Sequence, residues 1–256
     1  MSEFARYPSL DGLPVIISGG ASGIGESLVR NFAAQGARVG FVDIQADRGA
    51  QLADEMRASG QVAKFIHCDV TDIAAYQAAI AEFAATHGDA LGLVNNAAHD
   101  QRHEWSEVTP AYWDERMGVN LKHAFFAIQA VAPGMIAAGR GSIINTGSIS
   151  WMIMSPKIPV YETAKAATHG LTRGMARELG KHGIRVNSLV PGWVMTERQL
   201  TYWIDDAAEA QIEATQALAG RVYPDDCARM ALFLAADDSA MISAQQFLVD
   251  GGWANT

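Results

Sequence analysis

The chain of 256 residues is 49% hydrophobic and 18% charged, the balance of a folded protein with a substantial core, which excludes a disordered chain. A formal net charge of −9, with Lys and Arg scattered along the sequence, excludes the basic footprint that nucleic-acid binding needs. Cys68 and Cys227 lie far apart in no paired motif, which excludes a disulfide framework or a thiolate zinc site and predicts two inert core thiols. The opening "MSEFARYPSLDGLPVIISGG" lacks a basic segment followed by a long apolar core, so a cytoplasmic protein is expected. No apolar run approaches the roughly 20 residues of a membrane helix, so no membrane partner is expected.

Seven short runs rich in Val and Ile recur in order: "PVIIS" (14–18), "RVGFV" (38–42), "VAKFI" (62–66), "LGLVN" (91–95), "SIINT" (142–146), "RVNSLV" (185–190) and "QQFLV" (245–249). None alternates cleanly, as suits strands buried on both faces of a parallel sheet. Amphipathic stretches lie between them, with Ile24, Leu28 and Phe32 on one helical stripe and Leu52 with Met56 on another. Strand and helix in alternation predict right-handed crossovers and a single-domain, Rossmann-like doubly wound α/β fold. The segment 193–220 breaks this rhythm. It reads as a helical insertion just past the C-terminal end of a strand, where open parallel sheets bind ligands.

After the first run comes "SGGASGIGE", residues 18–26, with glycines at 19, 20, 23 and 25 opening the first helix. Such a loop lets backbone approach a pyrophosphate and leaves N–H groups free at the positive helix end. Asp43 ends the second run at the spacing of an acid that accepts from adenosine ribose hydroxyls, and its charge repels a 2′-phosphate. Ser22 supplies no compensating cation, so NAD is expected over NADP. In "YETAK", Tyr161 and Lys165 stand four apart on one helical face. A cation beside a phenol favours the phenolate, so Lys165 is expected to lower the pKa of Tyr161 and make it a usable base.

Taken together, the glycine loop, "HCDV" (67–70), "NNAA" (95–98), "VNL" with Asn120, "NTGSIS" with Ser148, "YETAK" and "PGWVMT" (191–196) resemble, in order and over essentially the full length, the short-chain dehydrogenase/reductase family. The resemblance implies a seven-stranded parallel sheet and a catalytic set of Asn120, Ser148, Tyr161 and Lys165, with Asn120 holding a water that passes the proton outward. It further implies cofactor contacts from Gly19, Ser22, Gly23, Ile24, Gly25, Asp43, Ile44, Asp69, Val70, Asn96, Pro191, Val194 and Thr196, besides Tyr161 and Lys165. Two departures stand out: Ala98 replaces the usual glycine after "NNA", and Ser18 replaces the usual threonine of the loop.

A narrower resemblance, carried by "YWDERMGVNLKHAFFAIQAVAPGM", "GSISW", "YETAKA", "TERQ" and the final "DGGW", is to the bacterial sugar 1-dehydrogenases of that family. It implies oxidation of an aldopyranose at the anomeric carbon to a lactone. Trp151 and Trp193 could offer apolar faces to a sugar, with Ser150, Arg198, Gln199 and His103 in reach of its hydroxyls. Another polyol, a keto-deoxy sugar acid, a 3-oxoacyl thioester, or NAD sensing without turnover stay open as alternatives. His99 and His103 lack a third ligand of matching logic, so no metal is expected. Met152 and Met154 are expected as pocket wall or packing, and His67 and Cys68 as strand-end packing. The apolar helices around 111–138 and 160–181 resemble the family's dimer faces, which implies a homotetramer.

Overall fold

All seven apolar runs become strands, within a residue or two of their expected limits, in a computed structural model that describes residues 4–254. They are β1 (Pro14–Ser18), β2 (Arg38–Asp43), β3 (Ala63–His67), β4 (Gly92–Asn95), β5 (Gly141–Thr146), β6 (Ile184–Pro191) and β7 (Gln246–Val249). Every pairing is parallel and the order is β3-β2-β1-β4-β5-β6-β7. The direction of winding reverses between β1 and β4, which opens a crevice at their C-terminal ends. Ile16, Ile17, Leu93, Ile143 and Ile144 are almost fully buried, as central strands covered on both faces require.

Helices α1 (Gly23–Ala34), α2 (Ala46–Ala58) and α9 (Pro224–Ala235) cover one face, and Leu28, Phe32, Leu52 and Met56 join the core there. The other face takes α3 (Ile73–His87), α5 (His123–Ala138) and α6 (Pro159–Leu179), with α4 (Pro110–Met117) beside α6. Thr109 caps α4 by accepting from the Tyr112 N–H at 3.2 Å, and Pro110 occupies its first turn. A π-turn over Gly118–Lys122 joins α4 to α5. The resulting helix, Pro110–Ala138, corrects the expectation from the sequence: it is long and apolar enough to cross a membrane by length and composition. Here Ala127, Ile128, Val131 and Met135 pack into the core instead.

A buried polar ladder fixes α6 against the sheet. Asn95 Nδ2 donates to Asn145 Oδ1 at 2.8 Å, Asn145 Nδ2 donates to Thr172 Oγ1 at 3.0 Å, and Ser188 Oγ donates to the Asn145 carbonyl at 3.0 Å. Bonds of this kind inside a core specify one register between helix and strands, so residues at the start of α6 have little freedom of position. The insertion is less helical than its sequence suggests: α7 (Glu197–Tyr202) and α8 (Asp206–Thr215) are separated and followed by irregular chain. Thr196 and Asp205 cap the two helices, and a Val194–Val222 bridge closes the base of the insertion.

Candidate active site

The glycine loop runs from the end of β1 into α1 at the switch point. Gly19 and Gly23 have φ of +66° and +56°, and a Cβ at Gly25 would lie 1.7 Å from the Gly19 carbonyl oxygen. Only glycine allows this approach. Ser22 occupies the N-cap of α1 without a side-chain cap bond among the described residues, and its hydroxyl instead accepts from Gln45 Nε2 at 3.2 Å. The first-turn N–H groups therefore face the crevice, the chemistry an anionic pyrophosphate needs. Asp43 Oδ2 accepts from the Ala21 N–H and Oδ1 from the Gln45 N–H, each at 3.0 Å, so the carboxylate braces the loop. An ionised carboxylate has roughly four acceptor positions, so capacity for ribose hydroxyls is left over.

The other expected cofactor residues surround this loop. Asn96 Nδ2 donates to the Ser18 and Gly19 carbonyls at 3.1 and 3.0 Å. The Ser18 hydroxyl accepts from the N–H groups of Asn96 and Ala97, at 3.0 and 3.1 Å, so both acceptor positions of the hydroxyl retained at this departure are used. Thr196 reaches over from the far side, its methyl 3.2 Å from where a Cβ of Gly23 would stand. Ile24, Asn96, Pro191, Val194 and Thr196 all line the central cavity. Val70 is buried, Ile44 is exposed beside Asp43, and Asp69 accepts from the Thr71 N–H and hydroxyl, both at 2.8 Å. These residues fit a dinucleotide.

The cavity, of about 320 Å³, joins the crevice to the insertion. Ser148, Tyr161 and Lys165 line it together with Ser150, Trp193, Gln199 and Ala98. Lys165 is buried and donates through Nζ to the Thr146 carbonyl at 2.8 Å, and Nζ lies 5.6 Å from the centre of the Tyr161 ring. Burial pushes the lysine down from its ordinary 10.5 to about 8, with Asp100 opposing the fall. The tyrosine runs against expectation. Burial pushes its phenol above the usual 10, Asp100 pushes it further, and only the Ser148 hydroxyl pulls it back. Desolvation of the phenolate outweighs the nearby ammonium, which is committed to a carbonyl.

Asn120 is tied into the loop after β4. Its Oδ1 accepts from the His99 N–H at 2.8 Å, while Nδ2 donates to the carbonyls of Arg116 at 2.9 Å and His99 at 3.2 Å. The side chain braces the loop after β4, with both amide donors used and one acceptor position left on Oδ1. His99 Nδ1 faces the Arg116 guanidinium, and His103 Nδ1 faces the Tyr112 hydroxyl at 3.0 Å. Met152 packs against the small cluster around Trp253, whereas Met154 is exposed.

Among the described residues the cavity wall does not include Trp151, Arg198 or His103, three of the expected substrate contacts. Residues 149–153 form a tight turn, with the Ile153 N–H donating to the Ile149 carbonyl at 3.1 Å. Positions four apart share a face, so Ile149 and Ile153 reach the wall and Trp151 does not. Arg198 is drawn to Asp100 at 3.3 Å and lies over the Tyr202 ring. His103 is held by Tyr112. In their place the structure brings Asp100, Arg102, Gln211 and Trp253 to the wall. The sequence carried two signals for these: Asp100 stands two residues after "NNAA", and Trp253 ends the "DGGW" motif.

A parallel sheet with a glycine loop at its switch point, beside a serine, a tyrosine and a lysine on one cavity, defines a dinucleotide-dependent oxidoreductase class. A family model described as Enoyl-(Acyl carrier protein) reductase matches residues 19–254. The D-xylose 1-dehydrogenase of Caulobacter vibrioides is 47% identical over 249 residues, 97% of this chain and 98% of that protein. The probable galactose dehydrogenase GalD of Rhizobium meliloti is 44% identical over 97% of each chain. A solved gluconate 5-dehydrogenase from Burkholderia cenocepacia, in complex with NADP and tartrate, superposes with a TM-score of 0.89 at 35% identity, covering 96% of this chain and 97% of that one. The chain belongs to the short-chain dehydrogenase/reductase family.

Proposed function

We propose that this chain oxidises an aldopyranose at its anomeric carbon to the lactone, using NAD, with the whole of 1–256 acting as one catalytic domain. The observation that carries the reading is the convergence of Ser148, Tyr161 and Lys165 on a cavity whose far wall combines Trp193 and Trp253 with Asp100 and Gln199. The two indoles lie 6.3 Å apart at 43°, a tilted pair that offers apolar faces to sugar C–H groups. D-xylose and L-arabinose are the leading substrates, supported by the likeness to a D-xylose 1-dehydrogenase.

Bound nicotinamide supplies the hydride acceptor and, when oxidised, a positive charge. The Ser148 hydroxyl holds the reacting oxygen, and Tyr161 takes its proton as the carbonyl forms. In the protein alone the Tyr161 phenol stays protonated at neutral pH, because its pKa is raised. Its work as a base therefore depends on added positive charge, and the ammonium of Lys165 holds the local field in that direction. Oxidation is expected to be slow in acid and to rise with pH until Lys165 begins to lose its proton near pH 8. The free acceptor position of Asn120 Oδ1 is available to a water that passes the proton outward.

The test is a panel of aldoses, polyols, sugar acids and simple secondary alcohols with NAD, with hydroxamate trapping of the product. A stereoselective aldose oxidation yielding a trapped lactone is expected, and 1-deoxy analogues are expected to be inert. Robust oxidation of secondary alcohols with no aldose turned over removes the sugar assignment and leaves the hydride transfer standing.

Asp43 gives a second check. Its charge at the end of β2 would repel a 2′-phosphate, which supports NAD over NADP in kcat/KM. Asp43→Asn keeps the shape of the side chain and, with its oxygen turned to the Ala21 N–H, one of its two braces, gives up the bond from the Gln45 N–H, and is expected to narrow that preference by about tenfold, the effect of one lost charge at close range. Equal use of both cofactors by the unaltered enzyme would count against this assignment. The half-exposed Trp113, Phe125 and Ile136 on α4 and α5 support a homotetramer, and a cytoplasmic setting is part of the same proposal.

A further inference from the structure

One carboxylate on the cavity wall lies outside the proton-transfer machinery. Asp100 stands on the loop after β4, and its side chain reaches α7 across the cavity. Oδ2 accepts from Gln199 Nε2 at 2.8 Å, and Oδ1 accepts from Arg198 Nε at 3.3 Å. Gln199 Oε1 in turn accepts from the Trp193 indole N–H at 2.9 Å. The chemistry permits only this arrangement. An indole N–H can only donate and an ionised carboxylate can only accept, so the amide of Gln199 must turn its oxygen to Trp193 and its nitrogen to Asp100.

That chain leaves useful valences on the cavity side. An amide nitrogen has two donors, of which Asp100 takes one, and a carboxylate has roughly four acceptor positions, of which Gln199 and Arg198 take two. Both side chains line the cavity, so a fixed donor and a fixed acceptor stand next to each other there. A hydroxyl is the group that both donates and accepts. Arg102, the other charged group new to the wall, is held 4.0 Å over the Trp203 ring and does not neutralise Asp100.

We infer that Asp100 and Gln199 form a hydroxyl-reading subsite for a sugar hydroxyl other than the one oxidised, with Asp100 as the acceptor that sets specificity. The inference rests on the proposed aldose oxidation. Trp193 anchors Gln199 and presents its ring beside it, so the subsite and the apolar platform form one rigid unit. A sugar whose hydroxyl points elsewhere leaves this donor and acceptor buried and unpaired, which is how such a site rejects a stereoisomer.

The experiment measures kcat/KM for the enzyme, Asp100→Asn and Gln199→Leu on the best aldose and on its 2-, 3- and 4-deoxy analogues, with NADH affinity as the control for folding. Asp100→Asn is expected to cost about 10- to 100-fold on the intact aldose, mostly in KM, as a lost bond to a charged acceptor does. One deoxy analogue is expected to be poor already with the unaltered enzyme by a similar factor. On that analogue alone the substitution then costs less than about 3-fold more, because the partner hydroxyl is already gone. Equal loss on every analogue would show that Asp100 acts through Tyr161 or through the packing of α7, and overturns the subsite. No loss on any sugar overturns it as well. If the unaltered enzyme oxidises no aldose, the proposed function itself fails and the subsite with it, an outcome distinct from an active enzyme indifferent to Asp100.

Discussion

Tyr161→Phe is expected to lower kcat by about 1,000-fold or more while leaving NADH affinity within about twofold, since it deletes one proton acceptor and keeps the ring. General acid–base groups contribute roughly 100- to 10,000-fold, and among the described residues the phenol is the only titratable hydroxyl on the cavity wall. The residual rate is expected to lose the rise with pH that the phenol confers. Steady-state kinetics from pH 6 to 10, with NADH fluorescence for binding, decide the matter. A variant that keeps most of its turnover, or that keeps the same pH profile at a lower rate, assigns the base elsewhere.

Lys165→Met is expected to abolish useful turnover and, at neutral pH, to raise the melting temperature of the protein without cofactor. Burial holds the folded-state pKa of Lys165 at about 8, below its ordinary 10.5. Because the unfolded chain binds the proton more tightly, keeping the ammonium charged costs stability, in full below about pH 8. The cost fades as pH rises from about 8 towards 10.5. The penalty is on the order of 3 kcal/mol, and leaving the Thr146 carbonyl without its donor takes back about 1 kcal/mol. A net gain of about 2 kcal/mol corresponds to a rise on the order of 5 °C in a chain of this size. Thermal melts at pH 7 and pH 9.5 check both parts: the variant's advantage shrinks at the higher pH. A variant that melts below the unaltered protein at pH 7 would show that the contacts of the ammonium outweigh its desolvation.

The trade between stability and activity at Lys165 explains why "YETAK" misled on one point. The spacing of Tyr161 and Lys165 is a property of any helix, and it does put the two on one face. Spacing says nothing of dielectric. Whether the ammonium lowers the phenol depends on how much water reaches it and on what else the ammonium binds, and both are set by β5 and its Thr146 carbonyl. Asn120 shows the same limit. Its place in the order of motifs was legible, and so was the Arg116 carbonyl one helical turn back, but the two bonds to His99 join residues 21 apart that only the folded loop brings near.

By itself the sequence determined the seven strands, the glycine loop, Asp43 at the end of β2, and the presence of Ser148, Tyr161 and Lys165 on adjoining elements. Each of these follows from local pattern: unalternated Val and Ile runs, glycines where a turn is tight, residues four apart on a helix. The tertiary structure alone decided which side chains reach the cavity. Trp151 and Trp253 are equally aromatic in sequence, yet a turn at 149–153 keeps the first off the wall and the last strand delivers the second to it. Asp100 and Gln199, separated by 99 residues, meet at 2.8 Å because the loop after β4 and α7 close over the same strand ends. Side-chain convergence over such distances is a property of packing, and no window of local sequence contains it.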